Sequence, residues 1–387
     1  MLNDAIHHPN VGILDIRDHA VGCLLGGAMG DSFGYPIEFK PLEEIKSAFG
    51  KEGLKEPLLR GGYYMISDDT QMSLLTADGL LCALTRWCTR GLAAPPYNYI
   101  YRKYRRWAQL QGFETDDESF ADSWLFSDPA MYAMRAPGNT CINELCKNAD
   151  PATMDSPRND SKGCGGLMRV APVGLFCRDY GKEKAVRLAS EIAATTHGHP
   201  YGYMTAGMLS SMIYHIAQGE DLHQSVSNAE ADCREFFGDP MIDGLCSIID
   251  NAVDLSESVR GDEECMRSLG EGWVAEETLA MAVFACLRHS DDAIGCLRCA
   301  VNVTGDSDSI GSVAGNIIGA YLGADAIKKS FDTDRLECSE MIEVIAVDLV
   351  TECPSYEFGP SDAIWDAKYI YCTNPYSDRT RNDEAPQ

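Results

Sequence analysis

Glycine recurs at every fourth position in two well-separated segments: Gly22, Gly26, Gly30 and Gly34, then Gly311, Gly315, Gly319 and Gly323. Each glycine costs a helix roughly 1 kcal/mol relative to alanine. Four on one face need a compensating gain. Close backbone approach supplies it, because a bare stripe lets another helix lie tightly against it. The pattern predicts two central, tightly packed helices, and the matched spacing allows them to pack against each other.

Helical periodicity extends through the chain. Leu74, Ala77, Leu81 and Leu84 form one apolar stripe, and Met208, Leu209, Met212, Ile213 and Ile216 another, stopped by Gly219. Leu279, Val283 and Leu287 form a third, and Ile342, Ile345 and Leu349 a fourth. Sustained strand-like alternation is nearly absent, so the chain reads as an all-α single domain. Its expected limits are residues 21–372, after a leader of residues 1–20 and before a disordered tail of residues 373–387. No apolar run approaches the ~20 residues that span a bilayer. The first residues lack the basic start and apolar stretch of a signal peptide.

Charge narrows the partners. With 32 Lys and Arg against 59 Asp and Glu, the net charge is −27. Such a surface repels nucleic acid and anionic membranes. The one basic cluster, Arg102, Lys103, Arg105 and Arg106, reads as a solvated helix face pairing with nearby carboxylates. The 16 cysteines are scattered, mostly in apolar helical segments. They read as buried free thiols suited to a reducing cytoplasm. The single C-x-x-C, Cys296 to Cys299, has no second pair and no histidine at zinc spacing.

Five segments can carry chemistry. Ser67-Asp68-Asp69-Thr70 precedes the Leu74 stripe and reads equally as a helix N-cap. Ser290-Asp291-Asp292 is the same tripeptide in a plain capping position, an internal control. Asp306-Ser307-Asp308-Ser309 opens the second glycine helix. Its carboxylates and hydroxyl can converge on a hard cation, although a cap also fits. An EF-hand fails there, because Ile310 and Ile317 stand where oxygen ligands are required. Asp31 and Glu38 flank the end of the first glycine helix, in Gly30-Asp31-Ser32-Phe33-Gly34-Tyr35-Pro36-Ile37-Glu38. Gly163-Cys164-Gly165-Gly166-Leu167-Met168-Arg169 can turn backbone N–H groups toward an anion. His197 and His199 sit where a loop is expected.

In this order, GCLLGGAMGDSFGYPIEF, ISDDTQMSLLTADGLL, RAPGNTCI, GCGGLMRVAPVGLF, ATTHGHPYGYMTAG and AVNVTGDSDSIGSVAGNIIGAYLGA resemble the ADP-ribosylglycohydrolase family. The stretches run over residues 22–324, and the SDDT and GDSDS pair is the most specific. The resemblance implies an orthogonal helical bundle with two magnesium or manganese ions in a central cleft. Ser67, Asp68, Asp69, Asp306, Asp308 and Ser309 would be the metal ligands. Ser67 and Ser309 stand where the family more often has Thr, and both keep the oxygen. Asp68, Asp69 and Glu38 would be the catalytic carboxylates. Asp31, Gly163, Gly165, Gly166, Arg169 and His197 would contact the substrate.

Cleavage at the anomeric carbon of ADP-ribose builds oxocarbenium character that such a site can stabilise. The expected activity is removal of ADP-ribose from modified protein side chains, arginine first, with serine-linked and polymeric ADP-ribose also within the family. The alternative is a blocking or immunity protein on the same scaffold, directed against an ADP-ribosylating toxin or transferase, with the leader plugging its cleft.

Overall fold

The two glycine stripes meet. Helix Ile16–Gly34 and helix Ser307–Leu322 run antiparallel and nearly backbone to backbone. A Cβ placed on Gly22 would lie 2.4 Å from the Gly319 carbonyl oxygen, and one on Gly26 2.3 Å from that of Gly315. Gly30 faces Gly311 in the same way, and Gly34 faces the Ser307 carbonyl. Gly323 departs from the stripe: it ends the second helix with φ +84. The antiparallel register sets the end of the first helix beside the start of the second.

The structure, a computed structural model, describes residues 5, 6, 14–92, 94–115 and 121–376. Among these residues it is all-α, with seventeen α-helices and two-residue strand pairs as the only sheet. The glycine pair is covered by helices Ala275–Arg288, Ala293–Val301 and Ser339–Leu349. Helix Asp68–Arg90 lies at its end and packs on helix Pro96–Leu110.

The four apolar stripes face inward. Leu74, Ala77 and Leu81 are buried and Leu84 partly so, while the Met208 to Ile216, Leu279 to Leu287 and Ile342 to Leu349 sets are buried throughout. Each fully buried leucine or isoleucine contributes about 1.5–3 kcal/mol against the chain entropy lost. No described helix is long and apolar enough alone to cross a membrane. The 16 cysteines form no disulfide.

The basic cluster differs from its expected role. Lys103 and Arg105 are interior residues, 1% and 0% exposed. Lys103 Nζ pairs with the buried Asp78 carboxylate at 2.6 Å and donates to the Asp122 carbonyl at 2.8 Å. Arg105 donates to the Leu145 and Ala149 carbonyls around the end of helix Asn139–Lys147, where a cation offsets the helix dipole. Arg102, which is exposed, and Arg106, which pairs with Asp122, fit the expected surface face.

At the N-terminus the first helix takes in Ile16 and the following residues, so the last five residues of the expected leader are helical. Most of the rest of that leader, residues 1–4 and 7–13, lies outside the described residues. Of the tail, Asn374 donates to the Ser127 hydroxyl and Thr373 to the Ala367 carbonyl, while residues 377–387 lie outside the described residues.

Candidate metal centre

The antiparallel glycine pair delivers Glu38, just past the first helix, to Asp306 and Asp308 at the start of the second. One carboxylate oxygen from each of the three lies within 4.8 Å of the others. Helix Asp68–Arg90 points its N-terminus at the same place, bringing Asp68 and Asp69, which are 5% and 2% exposed. The internal control separates cap from site. Asp292 caps its helix through Gly295 N–H and is exposed. Ser67 also caps its helix, through Asp69 N–H, but the whole turn is buried among other carboxylates.

This much buried negative charge is electrostatically costly. Burial first, then crowding by like charge, holds the Asp69 and Asp308 carboxyls well above their ordinary range. Burial does the same for Asp68 and raises Asp306. Glu38 is pushed up to about 9 by burial, then by Asp306 and Asp68. Without a counterion, burial favours the protonated, neutral form of these groups. One atom is left over: Asp69 Oδ1 is buried with no hydrogen-bond partner. A carboxylate oxygen with an unused lone pair, among four other acids and the Ser67 and Ser309 hydroxyls, fits hard divalent cations that take oxygen ligands.

The surrounding hydrogen bonds hold the turn in place. Asp31, expected at the substrate, is 0% exposed and faces the Ser67–Thr70 turn. Its carboxylate accepts Ser67 N–H and Thr70 N–H, and the Thr70 hydroxyl as well. It therefore positions the Ser67–Asp69 turn. The RAPG segment adds two further holds. Gly138 N–H donates to Asp68 Oδ2 at 3.3 Å. Arg135 donates to the Ile66 carbonyl and pairs with Glu337, which itself accepts Ile66 N–H at 3.1 Å.

The glycine loop edges the cluster through Cys164, whose Sγ donates to Asp306 Oδ2 at 2.7 Å and lies 3.6 Å from Ser309 Oγ. Gly163 and Gly165 stay partly exposed, while Gly166 is buried. Together these glycines enclose His197, with the place of a Cβ on Gly165 only 3.2 Å from the imidazole. Burial, then Arg169, pushes His197 down to about 3, so it is a neutral ring. Its Nδ1 meets the Thr196 hydroxyl at 2.9 Å. Arg169, also expected at the substrate, turns inward. It is 0% exposed, donates to the Ile192 carbonyl and Thr196 hydroxyl, and lies over the Tyr104 ring. It braces the loop from behind. His199 caps helix Pro200–Ala217 through Tyr201 N–H, a structural role.

Sequence reading missed an aromatic pair beside these acids. Phe39, 64% exposed and with φ +64, stacks on Trp273 at 5.4 Å and 12° between rings. A phenylalanine in the left-handed region carries strain of roughly 1–2 kcal/mol. Two backbone bonds hold it there: Phe39 N–H to the Gly305 carbonyl, and Asp306 N–H to the Glu271 carbonyl. Gly270-Glu271-Gly272-Trp273 carries the signal of a built turn in its paired glycines, both with positive φ.

The chain is similar to known proteins over most of its length. A model of the ADP-ribosylglycohydrolase family matches residues 13–357. An ADP-ribosyl-[dinitrogen reductase] glycohydrolase of Rhodospirillum rubrum is 24% identical over 321 residues, 81% of this chain and 88% of that one. ADP-ribosylhydrolase ARH3 of Homo sapiens is 28% identical over 236 residues, 54% of this chain and 63% of that one. ADP-ribosylarginine hydrolase Tri1 of Pseudomonas putida is 22% identical over 358 residues, covering 88% and 80%.

Proposed function

The chain belongs to the ADP-ribosylglycohydrolase family, and on that premise we propose that it removes ADP-ribose from arginine side chains of modified proteins, using two bound magnesium or manganese ions. The observation that carries the metal reading is Asp69 Oδ1, buried and without a partner inside a shell of acids. Ser67, Asp68 and Asp69 would hold the ions from one side, and Asp306, Asp308 and Ser309 from the other. The arginine linkage draws its support from the name of the Pseudomonas putida relative.

When bound, such ions polarise water and hold sugar hydroxyls. The chain's own groups do the rest. Glu38, only partly exposed, is the acid best placed to exchange a proton with an entering substrate. Asp68 and Asp69 orient a water or accept its proton. Gly163 and Gly165 offer partly exposed backbone beside Asp306, suited to the diphosphate. Phe39 and Trp273 present an apolar face at the rim. The blocking-protein reading rests on the leader and draws no support from the described residues.

The test is release of ADP-ribose from an ADP-ribosyl-arginine protein, with serine-linked substrate in parallel. Activity should need magnesium or manganese and fall by several orders of magnitude in Asp308→Ala. Undiminished release in the presence of a chelator would overturn the metal reading. Preference for the serine linkage would overturn the arginine one.

A further inference from the structure

The lone C-x-x-C is not a chelating pair. Cys296 is 0% exposed, and its Sγ lies 3.7 Å from that of Cys286 in the core. Cys299 sits apart, partly exposed, and meets two residues that sequence spacing did not suggest. Asp262 opens helix Asp262–Leu269, and His289 ends helix Ala275–Arg288. The thiol, an imidazole nitrogen and a carboxylate oxygen all lie within 4.8 Å of one another.

We propose that Asp262, His289 and Cys299 form a second metal site, one that binds a single zinc ion. Three ligand types from three helical segments converge, and their softness decides the metal. Sulfur and nitrogen favour zinc over magnesium, whereas the ligands assigned in the acidic cluster are all oxygens. Asp262 Oδ2 already meets His289 Nε2 at 2.9 Å. Tetrahedral zinc bonds of about 2.0–2.3 Å set ligand atoms roughly 3.3–3.6 Å apart, so Asp262 and His289 part slightly on binding, while Cys299 already stands within 4.8 Å of both.

The support around the ligands is built. Arg288 Nε lies 3.4 Å from Asp262 Oδ1, leaving Oδ2 to face the histidine. That guanidinium is itself fixed by the Ser258, Leu255 and Arg260 carbonyls. Ligating carboxylates are commonly oriented by such outer partners. All three ligands line a surface cavity of about 370 Å³, which leaves a fourth position open to water or a small ligand. On binding, zinc replaces the Asp262–His289 hydrogen bond, and the Cys299 thiol releases its proton to solvent.

Cobalt(II) reports this site without recourse to activity. Full-length, metal-stripped protein in excess magnesium should take up one cobalt with the intense absorption of a tetrahedral ion and a thiolate-to-metal charge-transfer band. Zinc should displace it stoichiometrically. Cys299→Ser should abolish the charge-transfer band, and His289→Gln should weaken binding at least about 100-fold. Both should keep the wild-type circular dichroism spectrum. Asp308→Asn should leave the band in place. Absence of the band in the wild type, or its survival at full strength in Cys299→Ser, would refute the site.

Discussion

Both carboxylate oxygens of Asp31 accept the backbone amide of Ser67, at 3.1 and 2.9 Å. The end of one glycine helix thereby fixes the turn from which Asp68 and Asp69 enter the acidic cluster. Asparagine keeps the size of Asp31 but replaces one acceptor by a donor. Asp31→Asn should therefore cost about 1–3 kcal/mol of stability. It should also weaken divalent-metal affinity by about tenfold or more without touching an ion. Calorimetric titration with manganese measures the second effect, and unchanged affinity would remove Asp31 from its positioning role.

The acid cluster makes stability depend on pH. Glu38 rises from its ordinary 4.5 to about 9, and Asp31 from 3.8 to about 6, burial being the first cause in each. Between those limits the folded chain holds protons that the unfolded chain has lost. The linked stability is complete below the unfolded pKa values and declines as pH rises toward the folded ones. Metal-free protein should thus melt at progressively lower temperature from about pH 5 to about pH 9. Added magnesium or manganese favours the ionised acids, so its stabilising effect should grow over the same range. A metal-induced shift in Tm that shrank with rising pH would contradict this account.

The glycine register can be tested at its centre. A Cβ on Gly315 would lie 2.0 Å from the Gly26 carbonyl oxygen. Gly315→Ala gains roughly 1 kcal/mol in helix propensity, yet it should be destabilising overall by about 1–3 kcal/mol through overpacking. Gly138 has open space where its Cβ would fall, so Gly138→Ala should stay within about 0.5 kcal/mol of the parent. Urea denaturation of the two variants decides the matter. Equal midpoints would mean that the helices do not touch backbone to backbone.

Arg169 separates bracing from substrate contact. Arg169→Met would remove the charged hydrogen bonds to the Ile192 carbonyl and the Thr196 hydroxyl, which keep Thr195 and His197 as partners, at roughly 1.5–3 kcal/mol for each bond lost. The loss should show in thermal and urea unfolding, with KM nearly unchanged in the protein that remains folded. A large rise in KM at full stability would return Arg169 to the substrate.

Much of the centre could be read from the residue order. Paired acids in SDDT and GDSDS, and glycine at every fourth position, are local patterns, and each limits what its own segment can do. A bare helical face permits close approach, so the spacing allowed the two glycine helices to meet, while the Gly26–Gly315 register belongs to the tertiary structure. Long-range partners could not be read that way. Arg135 meets Glu337 across 202 positions, and Lys103 is interior because Asp78 waits there with the opposite charge. Asp31 and Arg169 look like cleft residues in a motif, yet burial turns both inward. Phe39 and Trp273 stack because two backbone bonds bring their loops together. Periodicity and composition determined which faces are apolar and which acids travel together. The tertiary structure decided which charges lose their water, since desolvation depends on everything packed around a group and not on its neighbours in the chain.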